Sequence, residues 1–417
     1  MHKGQENLFP SKLPVTPGWQ RVCTSLSLLF LLLLSIITAP IIALLAFSAN
    51  QPAHNIARVE DIDTTVYSSD HPAFLSVSSG PDPRRSKLRA LLANIPQVDS
   101  AISLRIPNYQ EDRAIREALL ARPSQWETTP HTQMLHYGAS NQLQVYLGNT
   151  SQFPSIQSAH NVLAAQSERT VLTARIVLGL WNSRRSDPQL SHNGSVAIRA
   201  DEILAWRSVQ KHQRTAYVGA NKRFSDGYQE KHKQQVTQDM ELLQQYYLRG
   251  FHTLIIQGKV TYLPVDSPYL DITPIYSGRG ASNGYLVSPG NWIDDYETYQ
   301  HFFLADVSRK LFALNPQNDQ LALRIALYLS EYWRQEARSG RYKNPLLMTN
   351  LLTASMISID KANLTSRFAP RVEAALQKLY TQGILATAPT CLSCVDRTKA
   401  QWGNDWLASY WSILPPV

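Results

Sequence analysis

Eight residues near the carboxyl end, Cys391-Leu392-Ser393-Cys394-Val395-Asp396-Arg397-Thr398, carry the side chains best suited to covalent chemistry. A cysteine six residues ahead of an arginine, on a loop that opens a helix, is what a thiolate nucleophile needs to attack a phosphate ester. A free thiol titrates near about 8.5 and is mostly protonated at neutral pH, but a helix amino terminus and a nearby guanidinium stabilise the thiolate. Loop amides and the planar fork of Arg397 would hold the phosphoryl oxygens and the charge that develops on them. Trp402, Trp406 and Tyr410 recur every four residues after Arg397, which predicts a following helix with one aromatic face. Residues 383–388 offer a preceding strand, weakened at its end by Pro389.

The same pair has other uses. Cys-x-x-Cys spacing suits a small disulfide between Cys391 and Cys394 in an oxidising compartment, and it also occurs in redox and metal pairs. No further metal ligands can be picked out, and no metal or cofactor is expected. The chain has no His-Glu-x-x-His helix, no Gly-Lys-Ser/Thr phosphate loop and no Gly-x-Ser-x-Gly elbow. Gly278, Gly280 and Gly284 miss the dinucleotide spacing by one residue, which suits a flexible turn. Asp294, Asp295 and Glu297 precede a helical stripe and read as helix-capping carboxylates, with acid–base work as the alternative. The histidines, His252 among them, are scattered and read as solvated.

The pattern Cys-x4-Asp-Arg-Thr resembles the signature loop of the Cys-x5-Arg phosphoinositide phosphatases, and Cys-x-x-Cys-Val-Asp-Arg-Thr is most similar to the Sac version, with myotubularins as the other close pattern. The resemblance covers eight residues of 417. It implies Cys391 as nucleophile, Arg397 as phosphate clamp and Asp396 as general acid. Ser393, Cys394 and Thr398 would line the substrate, an anionic phosphorylated lipid or inositol phosphate.

The elements that must position this loop are set by composition and pattern. With 44% hydrophobic residues, 17% charged, 18 glycines and 3 cysteines in 417 residues, the chain is neither disordered, collagen-like, disulfide-stapled nor polytopic. Thr24 to Ala49 is one apolar run without charge, long enough for a membrane span. Lys3, Lys12 and Arg21 precede it, so the amino terminus should stay inside and the main domain lie outside the cytoplasm. The expected organisation is a cytoplasmic segment 1–23, a transmembrane anchor 24–49, a tether 50–82 and an exported domain 83–417. A subdomain boundary is allowed near 183–194 or within 264–291. The net charge of +8 is mild, and no basic–aromatic interleaving marks a nucleic-acid site, so the bilayer is an expected partner and nucleic acid is not.

Helical periodicity predicts helices over 86–95, 111–122, 158–181, 228–248, 296–314, 320–338, 345–359 and 371–380. Alternation predicts strands over 101–106, 143–147 and 251–263, with Gly258 as a turn or bulge, and 264–291 reads as a long loop. The expected fold is therefore α+β: a helix-rich globular domain with a small sheet behind an amino-terminal transmembrane helix. Two functional readings stay open. One is a membrane-anchored cysteine-dependent phosphatase; the other is a non-catalytic single-pass envelope protein with a structural Cys391–Cys394 bridge.

Overall fold

Alternating apolar residues place strands first. In the computed structural model, which describes residues 90–95, 102–129, 134–138, 142–148, 156–211, 227–275, 284–299, 303–393 and 395–416, they pair into four antiparallel sheets of two, three, four and five strands. All of these residues belong to the unit Ser79–Val417. The predicted span at 24–49, the segment 1–23 and the tether 50–82 lie outside the described residues.

The five-stranded sheet runs in the order Glu127–Thr128, Leu135–Gly138, Leu143–Leu147, Tyr246–Ile256, Lys259–Pro268. Its last two strands form a hairpin closed by Gln257 and Gly258, both at positive φ (51° and 77°), the backbone that a two-residue turn between right-twisted strands requires. One face of the hairpin buries His252, Leu254 and Val265, while Phe251, Ile255, Val260 and Tyr262 face outward. Gly250 sits at φ 134°, where a Cβ would lie 2.0 Å from the Gln142 carbonyl, so only glycine lets the two central strands part at this point.

A second sheet runs Ser191–His192, Ser195–Ile198, Gly284–Pro289, Leu270–Ile275. Here the structure corrects the reading of 264–291 as a loop. Leu270 and Ile272 are buried along one strand and Tyr285 and Val287 along the other, a period-two pattern masked in sequence by Pro274 and Pro289 near the strand ends. The expected helix over 296–314 is likewise broken. Leu304–Ser308 alternates buried and exposed residues and pairs antiparallel with Ser103–Pro107.

Helices fill the remaining layers. They include α1 (Gln110–Leu120), α2 (Glu168–Arg184), α3 (Glu230–Leu243), α4 (Gln320–Glu336), α5 (Ala369–Thr381) and α6 (Trp402–Leu407). Along α2, Val171, Leu172, Ile176, Val177, Leu178, Leu180 and Trp181 are all buried, so this helix is apolar around most of its circumference and runs through the core. The predicted helix over 158–181 is interrupted at 165–167, where Ser167 is extended and starts α2. Asp239 of α3 docks against α2 by accepting from Thr170 Oγ1 (3.0 Å), Thr173 Oγ1 (2.9 Å) and Arg169 Nε (3.0 Å). The fold is α+β with several small antiparallel sheets and many helices.

Candidate functional site

The eight-residue loop is held by the three-stranded sheet. Thr390–Cys391 and Leu346–Leu347 flank Tyr410–Ser412, with Cys391 opposite Trp411. Cys391 is half-buried and its thiol is free; Sγ donates to the Ser393 carbonyl at 3.3 Å. Cys394 lies outside the described residues. Leu392 N donates to Tyr410 O (2.8 Å), and Ser393 Oγ accepts from Tyr410 N (2.9 Å).

Asp396 accepts from Thr398 Oγ1 (2.6 Å) and Thr398 N (3.0 Å). These bonds, the hydroxyl first, hold its carboxyl below the ordinary range, so it is charged at neutral pH and carries no proton to give. Arg397 Nη2 donates to Glu373 Oε1 of α5 at 2.6 Å, and its guanidinium carbon lies 5.2 Å from the Trp402 ring centre. The Glu373 bond raises the Arg397 pKa, with Cys391 adding the smallest of the favourable contributions. Glu373 Oε1 also accepts from the buried Trp406 at 2.8 Å. α6 starts at Trp402, five residues past Arg397, so turns and not a helix amino terminus follow the loop. The structure thus brings Cys391 and Arg397 into one neighbourhood but commits the loop amides of Leu392 and Thr398, and the guanidinium, to internal partners.

Among the described residues, one dense polar cluster is not marked in the sequence. Glu111 and Asp112, in the first turn of α1, are buried, as is His252 on the five-stranded sheet. Glu111 Oε1 meets His252 Nδ1 at 2.7 Å and its Oε2 accepts from Tyr296 Oη at 2.8 Å. His252 Nε2 lies 3.1 Å from Asp295 Oδ2, an ion-pair distance whose angle does not make a hydrogen bond. Tyr109 stacks on Tyr296 with ring centres 3.9 Å apart. Burial, then the Asp112 charge, pushes the Tyr109 phenol up to about 12. Beside them Glu331 of α4 pairs with Arg175 of α2 and, at 3.2 Å, with Arg116 Nε of α1. No periodicity marks these groups, because pairs across 141 residues (Glu111–His252) and 156 residues (Arg175–Glu331) leave no local pattern; the one available signal was acidic residues opening α1.

The corrected placement of His252 follows from its hairpin: on the inward face it must be paired, and Glu111 and Asp295 pair it. Asp295 therefore does more than cap a helix, while Glu297 forms an ion pair with Arg185. Acid–base residues are abundant here, but each is engaged and nearly all are sealed from solvent, which makes the cluster a staple between α1, α2, α4 and the sheet.

Asp112 gives this staple a pH signature. Burial, opposed by Arg175 and the Tyr109 amide, pushes its carboxyl up to about 7. The fold holds a proton that the unfolded chain releases, so this contribution to stability is full below about pH 4 and is lost as pH rises through about 7. Asp112→Asn should flatten that part of the stability curve, and urea unfolding at a series of pH values checks it. An unchanged slope in the variant would show that Asp112 is not the group responsible.

A cleft of about 380 Å³ opens between Leu304–Ser308, α4 and the segment Pro415–Pro416. Its helical wall is a stripe of Ala326, Ser330, Trp333, Arg334 and Ala337, in which small residues leave room beside the indole. Val307, Leu311 and Ile384 form the apolar floor, and Ser308 and Tyr342 add polar groups. Asp306 is the one carboxylate in the lining, and it faces Arg105 at 3.5 Å. No cysteine or histidine lines the cleft.

No protein-family model matches the chain, and no curated protein matches it. Among solved structures the chain is similar to domains 2–3 of RctB, at 10% identity over 73% of this chain and 96% of that one, with a TM-score of 0.39. It is also similar to a selenomethionine derivative of domains 2 and 3 of RctB, at 11% identity over 64% and 84%, with a TM-score of 0.33. Similarity at this level assigns no role. Two sequence expectations are nonetheless corrected. The description as a single-pass membrane phosphatase with a periplasmic domain is withdrawn and not carried further; no helix among the described residues is long and apolar enough to cross a membrane, and the predicted span at 24–49 lies outside those residues. The exclusion of nucleic acid, which rested on charge pattern alone, is withdrawn as well.

Proposed function

We propose that the chain is a non-catalytic binding module that holds a small molecule in the cleft beside α4. The observation that carries this reading is the cleft itself. Its volume of about 380 Å³ falls within the roughly 300–1,000 Å³ of small-molecule sites, and apolar walls with a few placed polar groups are their usual lining. Turnover would need a nucleophile beside a base, and the lining supplies no such pair. The two groups of residues with reactive chemistry, the Cys391 loop and the Glu111–His252 cluster, support the same reading by being occupied with each other.

The test is to fill the cleft. Titration calorimetry of the full chain with 4-phenylbutan-1-ol, a neutral molecule with an aromatic body, should show one site per chain. Ser330→Phe and Ala337→Trp should each weaken it at least tenfold while the melting temperature holds. Binding that ignores both variants would place the probe elsewhere and end this reading.

A further inference from the structure

Charge in the cleft narrows what it holds. Three arginines near it are committed: Arg324 to Glu168 at 2.7 Å, Arg341 to Glu336 at 2.7 Å, and Arg105 to Asp306 at 3.5 Å. Arg334, on the cleft-facing stripe of α4, makes no side-chain hydrogen bond or ion pair among the described residues. Glu336, the acid closest to it along the helix, is taken by Arg341 through Nε and by Ser339 Oγ at 2.7 Å. The Asp306 carboxylate, which would repel an anion, is offset by Arg105. Arg334 is thus the cation in the lining of this apolar cleft, one residue from the indole that forms its wall.

We infer that the ligand is a small organic acid: an aromatic or alkyl body against Trp333, Leu311 and Ile384, and a carboxylate on the guanidinium of Arg334. A planar fork with parallel N–H groups matches a carboxylate, whereas the apolar floor selects the body attached to it. Bulk ions such as phosphate or acetate lack that body and should not compete. The inference rests on the cleft being a binding site, and it adds the sign of the ligand's charge.

The experiment compares 4-phenylbutyrate with 4-phenylbutan-1-ol on the full chain by titration calorimetry. The acid should bind at least tenfold more tightly than the alcohol, and Arg334→Gln should bring the two to equal affinity without changing the melting temperature. Arg334→Lys should restore part of the preference. Equal binding of acid and alcohol to the unaltered chain, with both weakened by Ser330→Phe, would overturn the anion inference and leave the cleft standing. Absence of binding by either molecule would remove the cleft reading and the inference together. A preference for the acid that survives Arg334→Gln would also overturn it, by assigning the charge recognition to another group.

Discussion

Glu331→Ala is expected to cost roughly 3–5 kcal/mol, because it removes the carboxylate that two guanidinium groups share in the interior. Arg116 and Arg175 are both buried, and Glu331 is the acid within ion-pair reach of both. Arg175 keeps only a long bond from Nη1 to the Pro107 carbonyl (3.4 Å) and the neighbouring Asp112 charge, and Arg116 keeps the Ala354 carbonyl (3.3 Å) and Glu117 (3.5 Å). Leaving two cations in a low-dielectric interior is far more expensive than never having buried them. Because α1, α2 and α4 meet at this one carboxylate, the loss should appear as a drop in the midpoint of the whole unfolding transition and not as local fraying. Chemical denaturation measures it. Replacing all three residues together by apolar side chains of similar volume should recover much of the loss, and a single Glu331→Ala variant that unfolds at the wild-type midpoint would show that the ion cluster is not a staple.

Trp406→Ala should rank next, at about 3–5 kcal/mol by the usual cost of emptying a buried aromatic site. Trp406 is fully buried, packs edge-on against Phe368 at 6.5 Å between ring centres, and donates to Glu373. Glu373 also holds Arg397, so the variant empties a cavity and loosens the clamp that fixes the loop after Cys391. Trp402→Ala gives the contrast, since that ring is half-buried and lies under an exposed guanidinium; it should cost well under half as much. Differential scanning calorimetry of the two variants separates them, and equal losses would mean that burial of Trp406 is not what anchors this end of the fold.

Local pattern revealed the elements that are locally determined. The strand Leu143–Leu147 and helices α1, α4 and α5 stand within two residues of where periodicity puts them, because each has one buried face. The hairpin turn at Gly258 was legible because few residues other than glycine take that backbone. What failed was long-range. Leu304–Ser308 is a strand because Ser103–Pro107 lies beside it 200 residues away in sequence, and the same five residues read as part of a helical stripe alone. His252 shows the limit for sites. Nothing near it in sequence says that Glu111 will sit 2.7 Å from its ring, so the default of a solvated histidine failed for lack of tertiary information. The Cys391 loop shows the same limit from the other side: spacing places a sulfur and a guanidinium close together, and only the fold reveals that Glu373 accepts from the guanidinium.

The outward ribbon of Phe251, Ile255, Val260 and Tyr262 borders its sheet on the strand Lys259–Pro268, the outermost of five among the described residues. A greasy border of this kind invites a stranger's backbone to dock and keep stacking, which is how aggregates begin. Pro264 and Pro268 answer that hazard, because an imide nitrogen carries no hydrogen to offer an incoming chain and so spoils the row of grips it needs. Resistance of this border to a docking strand is therefore expected to rest in part on two rings outside the core, and exchanging both for threonine should raise light scattering of the concentrated chain.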